Sequence, residues 1–203
     1  MQKGVDEELT PDIIKRAKLG FFLLFISRGM LMLHEGDEWL RAKIVAGDKI
    51  TNRAMKAKLR KLPGQLDLDS YNRDDTTNWL DWEEAEDPVR SDIREYVKGM
   101  AHLRKMHPAL RLARHANLHP LSSNDNSLLA YVTRVPGNRL VILVNLNENR
   151  KARVNLPEGT WVVLADETKV RNPNRGRAHT DVEVLPPMSA RLLASRDQIR
   201  RGK

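Results

Sequence analysis

At Pro108 the hydrophobic pattern of this chain changes, and the change limits what it can fold into. Before it, apolar residues recur at helical spacing; after it, they fall into short runs separated by turn residues. Such a division predicts an α+β protein, helical first and antiparallel afterwards. The boundary falls near residues 108 to 118, giving a first domain at 1–112 and a second at 113–203.

In the second part, Ser127 to Val135 is set to turn at Pro136-Gly137-Asn138 and pair with Arg139 to Leu146. Further strands are expected at Lys151 to Leu156, Thr160 to Ala165, Asp181 to Leu185 and Ser189 to Ala194. Five or six short strands at this spacing predict a small antiparallel β-sandwich.

In the first part, Thr10-Pro11-Asp12 is a helix start, because a proline at the first helical position gives up an N–H that has no partner anyway. The helix is expected to run from Pro11 to Ile26, with Gly29 as a stop. Its end, Phe21 to Ile26, is apolar all round and should be wrapped by other structure. Met30 to Leu33 then fits a short strand buried on both faces. It runs straight into His34, Glu35, Gly36, Asp37 and Glu38. Residues 40 to 86 form a long polar connection with a short basic helix near Thr51 to Lys61, and a helix from Asp87-Pro88 to about Met106 follows.

Composition narrows the function classes. No run of 18 apolar residues exists, so a membrane span is not expected, and the first residues lack the apolar core of a secretory signal; cytoplasm is the default. With no cysteine there is no disulfide framework and no thiolate metal site. The net charge of +8 raises the question of a polyanion partner. Much of it is local: residues 41 to 62 hold eight basic residues against one acid, Asp48. No groove-reading motif accompanies them, and aromatic content of 5% offers few stacking platforms, so nucleic acid is not the expected partner.

The carboxylates after Leu33 allow three readings. A zinc site would require a second histidine in place of Glu38, and a helix, so no metal or other cofactor is assigned. A self-contained glycosidase built on Glu35 and Glu38 is conceivable but disfavoured, because neighbouring carboxylates on one turn do not flank a sugar from opposite faces. The favoured reading is structural: Asp37 and Glu38 hold the loop by accepting backbone N–H groups or hydrogen bonds from Arg41.

Gly29 to Ala42 resembles the eighth barrel strand and following loop of the pullulanase and isoamylase debranching enzymes, within the α-amylase superfamily of glycoside hydrolases. Leu31 stands where that family has proline, and Glu35 where it has a small residue. A second family motif is met by Ser70, Tyr71, Asn72, Asp75, Asn78, Leu80, Asp81 and Trp82. Leu103-Arg104-Lys105 with His107-Pro108 resembles the end of the family's last barrel helix. Leu146-Asn147 and Pro186 to Ala190 resemble its C-terminal β-domain.

The resemblance implies the end of a (β/α)₈ barrel followed by a β-sandwich, from an enzyme that hydrolyses α-1,6-glucosidic branch points. It assigns no catalytic residue here, because the family's catalytic carboxylates arise from barrel strands upstream of the matching segment. The chain alone is therefore expected to be inactive. Tyr71, Asn72 and Asp75 are the implied substrate contacts. Trp79 and Trp82 read as loop anchors in preference to sugar platforms. The implied partners are an α-glucan (glycogen, starch or a branched maltooligosaccharide) and an upstream barrel polypeptide. The alternative is a non-catalytic glucan-binding or accessory module built on the sandwich.

Overall fold

The computed structural model describes residues 9–44, 67, 70–71, 76–121, 125–172 and 178–197. They fall into two compact units, one containing Leu33–Arg94 and the other Pro11–Met32 with Glu95–Lys203. Helix α1 is Pro11–Ile26, α2 is Pro88–Met106 and α3 is Pro108–Leu112. Among the described residues eight strands follow: β1 Leu118–Pro120, β2 Leu128–Val135, β3 Asn138–Asn145, β4 Ala152–Asn155, β5 Trp161–Asp166, β6 Ala178–His179, β7 Val182–Leu185 and β8 Ser189–Ser195. The protein is mixed α and β with antiparallel strands, and no closed barrel is present among the described residues.

The second unit is built on a six-stranded sheet ordered β1-β2-β3-β8-β5-β6, with β4 and β7 forming a two-stranded sheet. Pro136 and Gly137 close the β2–β3 hairpin, Gly137 taking a φ of 73° that favours glycine behind proline. Because side chains alternate, β3 presents Val141 and Leu143 to one face. These pack with Val132, Val163, Trp161 and Leu193, and with Ala152, Val154 and Leu185 of the small sheet, as one sandwich core. On the opposite face, Leu140, Ile142 and Val144 of β3 and Leu192 of β8 are also fully buried. Helix α1 lies against β8, and α3 against β2 and β3.

The apolar end of α1 is wrapped, as its pattern requires: Phe22 has no exposure and Phe21 and Phe25 are buried. They are wrapped within the unit that carries the β-domain, so α1 goes with the sandwich across the 112/113 boundary. Lys18, also buried, donates from Nζ to the Thr168 carbonyl at 2.9 Å and lies 5.4 Å from the Tyr96 ring centre.

One expectation fails outright. Met30 to Leu33 do not form a strand, and Met30 and Met32 are 98% and 90% exposed. A strand buried on both faces needs hydrogen-bonding neighbours and two covering layers, and no described strand lies beside this segment. The basic helix expected near Thr51 to Lys61 lies outside the described residues.

The motif at the end of α2 has a structural explanation. Arg104 is buried, and its guanidinium donates to the carbonyls of Phe25 at 2.8 Å, Ser27 at 2.7 Å, Leu110 at 3.0 Å and Gly29 at 2.8 Å. It thereby satisfies the carbonyls left over at the end of α1. The β-domain motifs also meet: the N–H of Met188 donates to the Asn147 carbonyl at 3.0 Å. Fully buried Asn145 donates to the carbonyls of Arg150 at 2.8 Å and Pro186 at 2.9 Å.

His107 precedes α3, and the amide of Asn138 fixes its state. Asn138 Oδ1 accepts the Ala109 N–H at 2.9 Å, so its Nδ2 donates to His107 Nδ1 at 3.0 Å, which accepts only when the ring is neutral. Burial, and then the nearby His102, push the His107 pKa below its ordinary value. The unfolded chain therefore takes up this proton first, and the stabilisation from His107 is lost as pH falls through about 6.5 and below. Urea unfolding at pH 7.5 and 5.5 should show a loss of stability on acidification that is smaller in His107→Gln. An equal loss in both proteins would remove His107 from the explanation.

Candidate functional site

In the first unit the carboxylate-rich segment folds into a tight turn around Gly36. The N–H groups of Trp39 and Arg41 both donate to the Gly36 carbonyl, at 3.2 and 2.9 Å, and Asp37–Trp39 forms one turn of 3₁₀ helix. Gly36 has a φ of 95°, and a Cβ there would stand 2.8 Å from Arg41 Cδ and 2.9 Å from Arg41 Cβ. No other residue fits that position without moving Arg41.

Asp37 and Glu38 are engaged with the backbone of this turn. Asp37 Oδ2 accepts the His34 N–H at 3.2 Å, and Glu38 Oε2 accepts the Gly36 N–H at 3.0 Å. The ring of His34 donates from Nδ1 to the Glu35 carbonyl at 3.0 Å. Arg41 lays its alkyl stem over Gly36, and Glu35 points into solvent. Asp37 and Glu38 thus each accept a hydrogen bond from the turn's own backbone.

Trp39 is 1% exposed, and its ring centre lies 5.3 Å from that of Trp82, the planes inclined at 47°. Arg90, in the first turn of α2, donates from Nη1 to the carbonyls of Trp39 at 3.1 Å and Leu40 at 2.9 Å. The turn is thus held by an arginine that no motif in the sequence singled out. Only its position two residues after Pro88, in a helix whose partner was unknown, could have drawn attention to it.

Beside this turn lies a cleft of about 300 Å³, lined by Arg41, Thr76, Thr77, Trp79, Asp81 and Glu84 among others. Trp79 and Trp82 are 62% and 61% exposed, so neither is an anchor in the manner of Trp39. Tyr71 is 82% exposed. Asn72 and Asp75, its two companions as implied substrate contacts, lie outside the described residues.

No family model matches the chain. It is 30% identical over 115 residues to an isoamylase from Flavobacterium sp., an alignment covering 57% of this chain and 12% of that protein. It is 32% identical over 120 residues to Pullulanase A of Streptococcus pneumoniae, covering 50% of this chain and 9% of that one. A maltosyltransferase acting from maltose 1-phosphate, from Methylacidiphilum infernorum, is 28% identical over 122 residues. The chain thus spans well under a fifth of the curated relatives it matches. Among solved structures, a pullulanase from Bacillus acidopullulyticus superposes with a TM-score of 0.69 over 93% of this chain and 21% of that one, at 24% identity. A multi-modular glycogen-degrading pneumococcal virulence factor gives 0.68 over 90% and 22%, also at 24%. The relatives and structural neighbours are therefore α-amylase-superfamily enzymes, debranching enzymes prominent among them, and the fold is that of their C-terminal section.

Proposed function

We propose that this chain is the closing section of an α-glucan debranching glycoside hydrolase, contributing the wall of a glucan site and its β-domain. The observation that carries the reading is that the chain matches an isoamylase and a pullulanase in sequence and superposes on a solved pullulanase over 93% of its length. In this reading Tyr71, Asn72 and Asp75 contact the glucan, while Asp37, Glu38 and Arg41 shape the turn beside them. Residues 1–112 belong to the barrel end and 113–203 to the β-domain, with α1 docked on the latter.

The parent reaction is hydrolysis of α-1,6-glucosidic bonds by a retaining mechanism. That chemistry needs two carboxyl groups roughly 5 to 5.5 Å apart, one forming a covalent glycosyl-enzyme and the other acting first as acid and then as base. Asp37 and Glu38 do neither, because each is bonded to the turn's own backbone. An upstream barrel polypeptide supplies the catalytic pair.

The second reading, a non-catalytic glucan-binding module, draws on the β-sandwich, whose core is closed between its own two sheets. The two readings part on hydrolysis. The chain should be retarded in a native gel containing amylopectin and should not cleave pullulan alone. Co-expression with the upstream barrel polypeptide should produce pullulan cleavage. Cleavage by the chain alone, or absence of retardation, would overturn the proposal; retardation with no gain on co-expression would favour the accessory module.

A further inference from the structure

We infer that the cleft beside Trp79 is a pyranose-binding subsite, with Trp79 as the ring platform and Arg41, Asp81 and Glu84 as the hydroxyl partners. The inference rests on the reading that the ligand is an α-glucan, and it names Trp79, Asp81 and Glu84, which that reading leaves without a role.

The first support is the contrast among the tryptophans of this unit. Trp39 is 1% exposed and Trp82, though 61% exposed, rests on it, whereas Trp79 keeps 62% of its surface in solvent at the edge of a cleft. Exposing an indole forgoes the stabilisation that burying it would give, and large apolar side chains left at a concave surface mark binding sites.

The second support is the shape and chemistry of the space. About 300 Å³ is at the lower end of the range for small-molecule sites, roughly 300 to 1,000 Å³, and suits a small cyclic ligand better than a protein segment. A pyranose offers an apolar C–H face to an indole and a rim of hydroxyls that both donate and accept. Arg41 provides donors, Asp81 and Glu84 provide acceptors, and Thr76 can do either. Among the described lining residues, two carboxylates stand against one guanidinium, a balance that suits a neutral polyol better than a phosphate or carboxylate.

The third support is rigidity. Asp81 Oδ1 accepts the Glu83 N–H at 2.9 Å, which fixes that carboxylate against the chain. Trp82, next in sequence, rests on buried Trp39, and Arg90 pins the carbonyls of Trp39 and Leu40 beside Arg41. A platform held in place before the ligand arrives costs little to order on binding.

The test uses the full chain, with retardation in amylopectin gels and tryptophan-fluorescence titration with maltotetraose. Trp79→Ala should weaken binding by about tenfold or more, the effect of removing an aromatic anchor, and Trp79→Phe should restore part of it. Leu112→Ala, an exposed change in the other unit, should leave binding as it was. If the parent chain binds and Trp79→Ala binds equally well, the subsite is overturned while the glucan reading stands. If the parent chain does not bind at all, both fall. Should near-UV circular dichroism show that Trp79→Ala has lost its fold, Asp81→Asn decides in its place: binding equal to the parent overturns the subsite, and binding weakened severalfold supports it.

Discussion

Replacing Arg104 by alanine is expected to lower the stability of this protein by roughly 2 to 4 kcal/mol, because buried carbonyls that lose a charged donor are left unsatisfied. Among the described residues the guanidinium has no ion pair; its hydrogen bonds go to the carbonyls of Phe25, Ser27, Gly29 and Leu110. Those oxygens come from the end of α1, the residues after it, and α3, so one side chain joins three segments. Without it, each carbonyl that water does not reach costs about 1 to 3 kcal/mol. Water will reach some of them, since Ser27 and Gly29 are exposed, and the expected total is smaller than the sum for that reason. Arg104→Lys should recover only part of the loss, because a point ammonium on a flexible stem cannot cover carbonyls fanned across a planar fork. Urea unfolding at neutral pH measures both variants. A loss below about 1 kcal/mol for alanine would mean that solvent replaces the clamp.

Phe22→Ala should cost about 3 to 5 kcal/mol, the usual range for emptying a fully buried aromatic site. Phe22 has no exposed surface and sits on α1 with Leu19, Phe25 and Ile26, all buried. The cavity would open where α1 rests on the sheet, so the loss should appear in the cooperative unfolding of the sandwich and not as a separate early transition. Ile13→Ala on the same helix, 38% exposed, should change stability by less than about 0.5 kcal/mol. Equal effects from the two changes would show that the docked helix contributes little.

What the sequence disclosed, and what it hid, follows from how far apart the determinants lie. Helix α1 begins and ends as read because Thr10-Pro11 and Gly29 act on their immediate neighbours. The β2–β3 hairpin is legible for the same reason, its register following from Pro136-Gly137. Strands β1 and β6 escaped notice because two or three residues are too few to display alternation. The covering of the Phe21, Phe22 and Phe25 face was hidden because its floor, β8, lies more than 160 residues away. Met30 to Leu33 misled for the opposite reason: an apolar run shows that a segment can be a strand, but not that a partner lies beside it.

The site divides in the same way. Asp37 and Glu38 accept N–H groups within three residues of themselves, and local geometry of that kind can be anticipated. Arg90 and Arg104 act on carbonyls about 50 and 77 residues away, and a backbone carbonyl carries no signature in the sequence. Arg104 was visible as part of a motif, yet nothing in the motif said that it grips the end of another helix. Trp79 was visible too, but whether an indole faces inward or outward depends on the tertiary structure around it.

The place of β8 in the sheet bears on how the protein comes into being. It is the last of the eight described strands to be made, and it lies in the interior, between β3 and β5. Until it leaves the ribosome, β1-β2-β3 and β5-β6 are separate pieces with open edges, and α1, made earlier, lacks the strand it lies against. The nascent chain therefore carries α1 without that cover until β8 follows it, the condition in which chaperones are needed and aggregation begins. A single late strand closes the sheet and shelters the helix together.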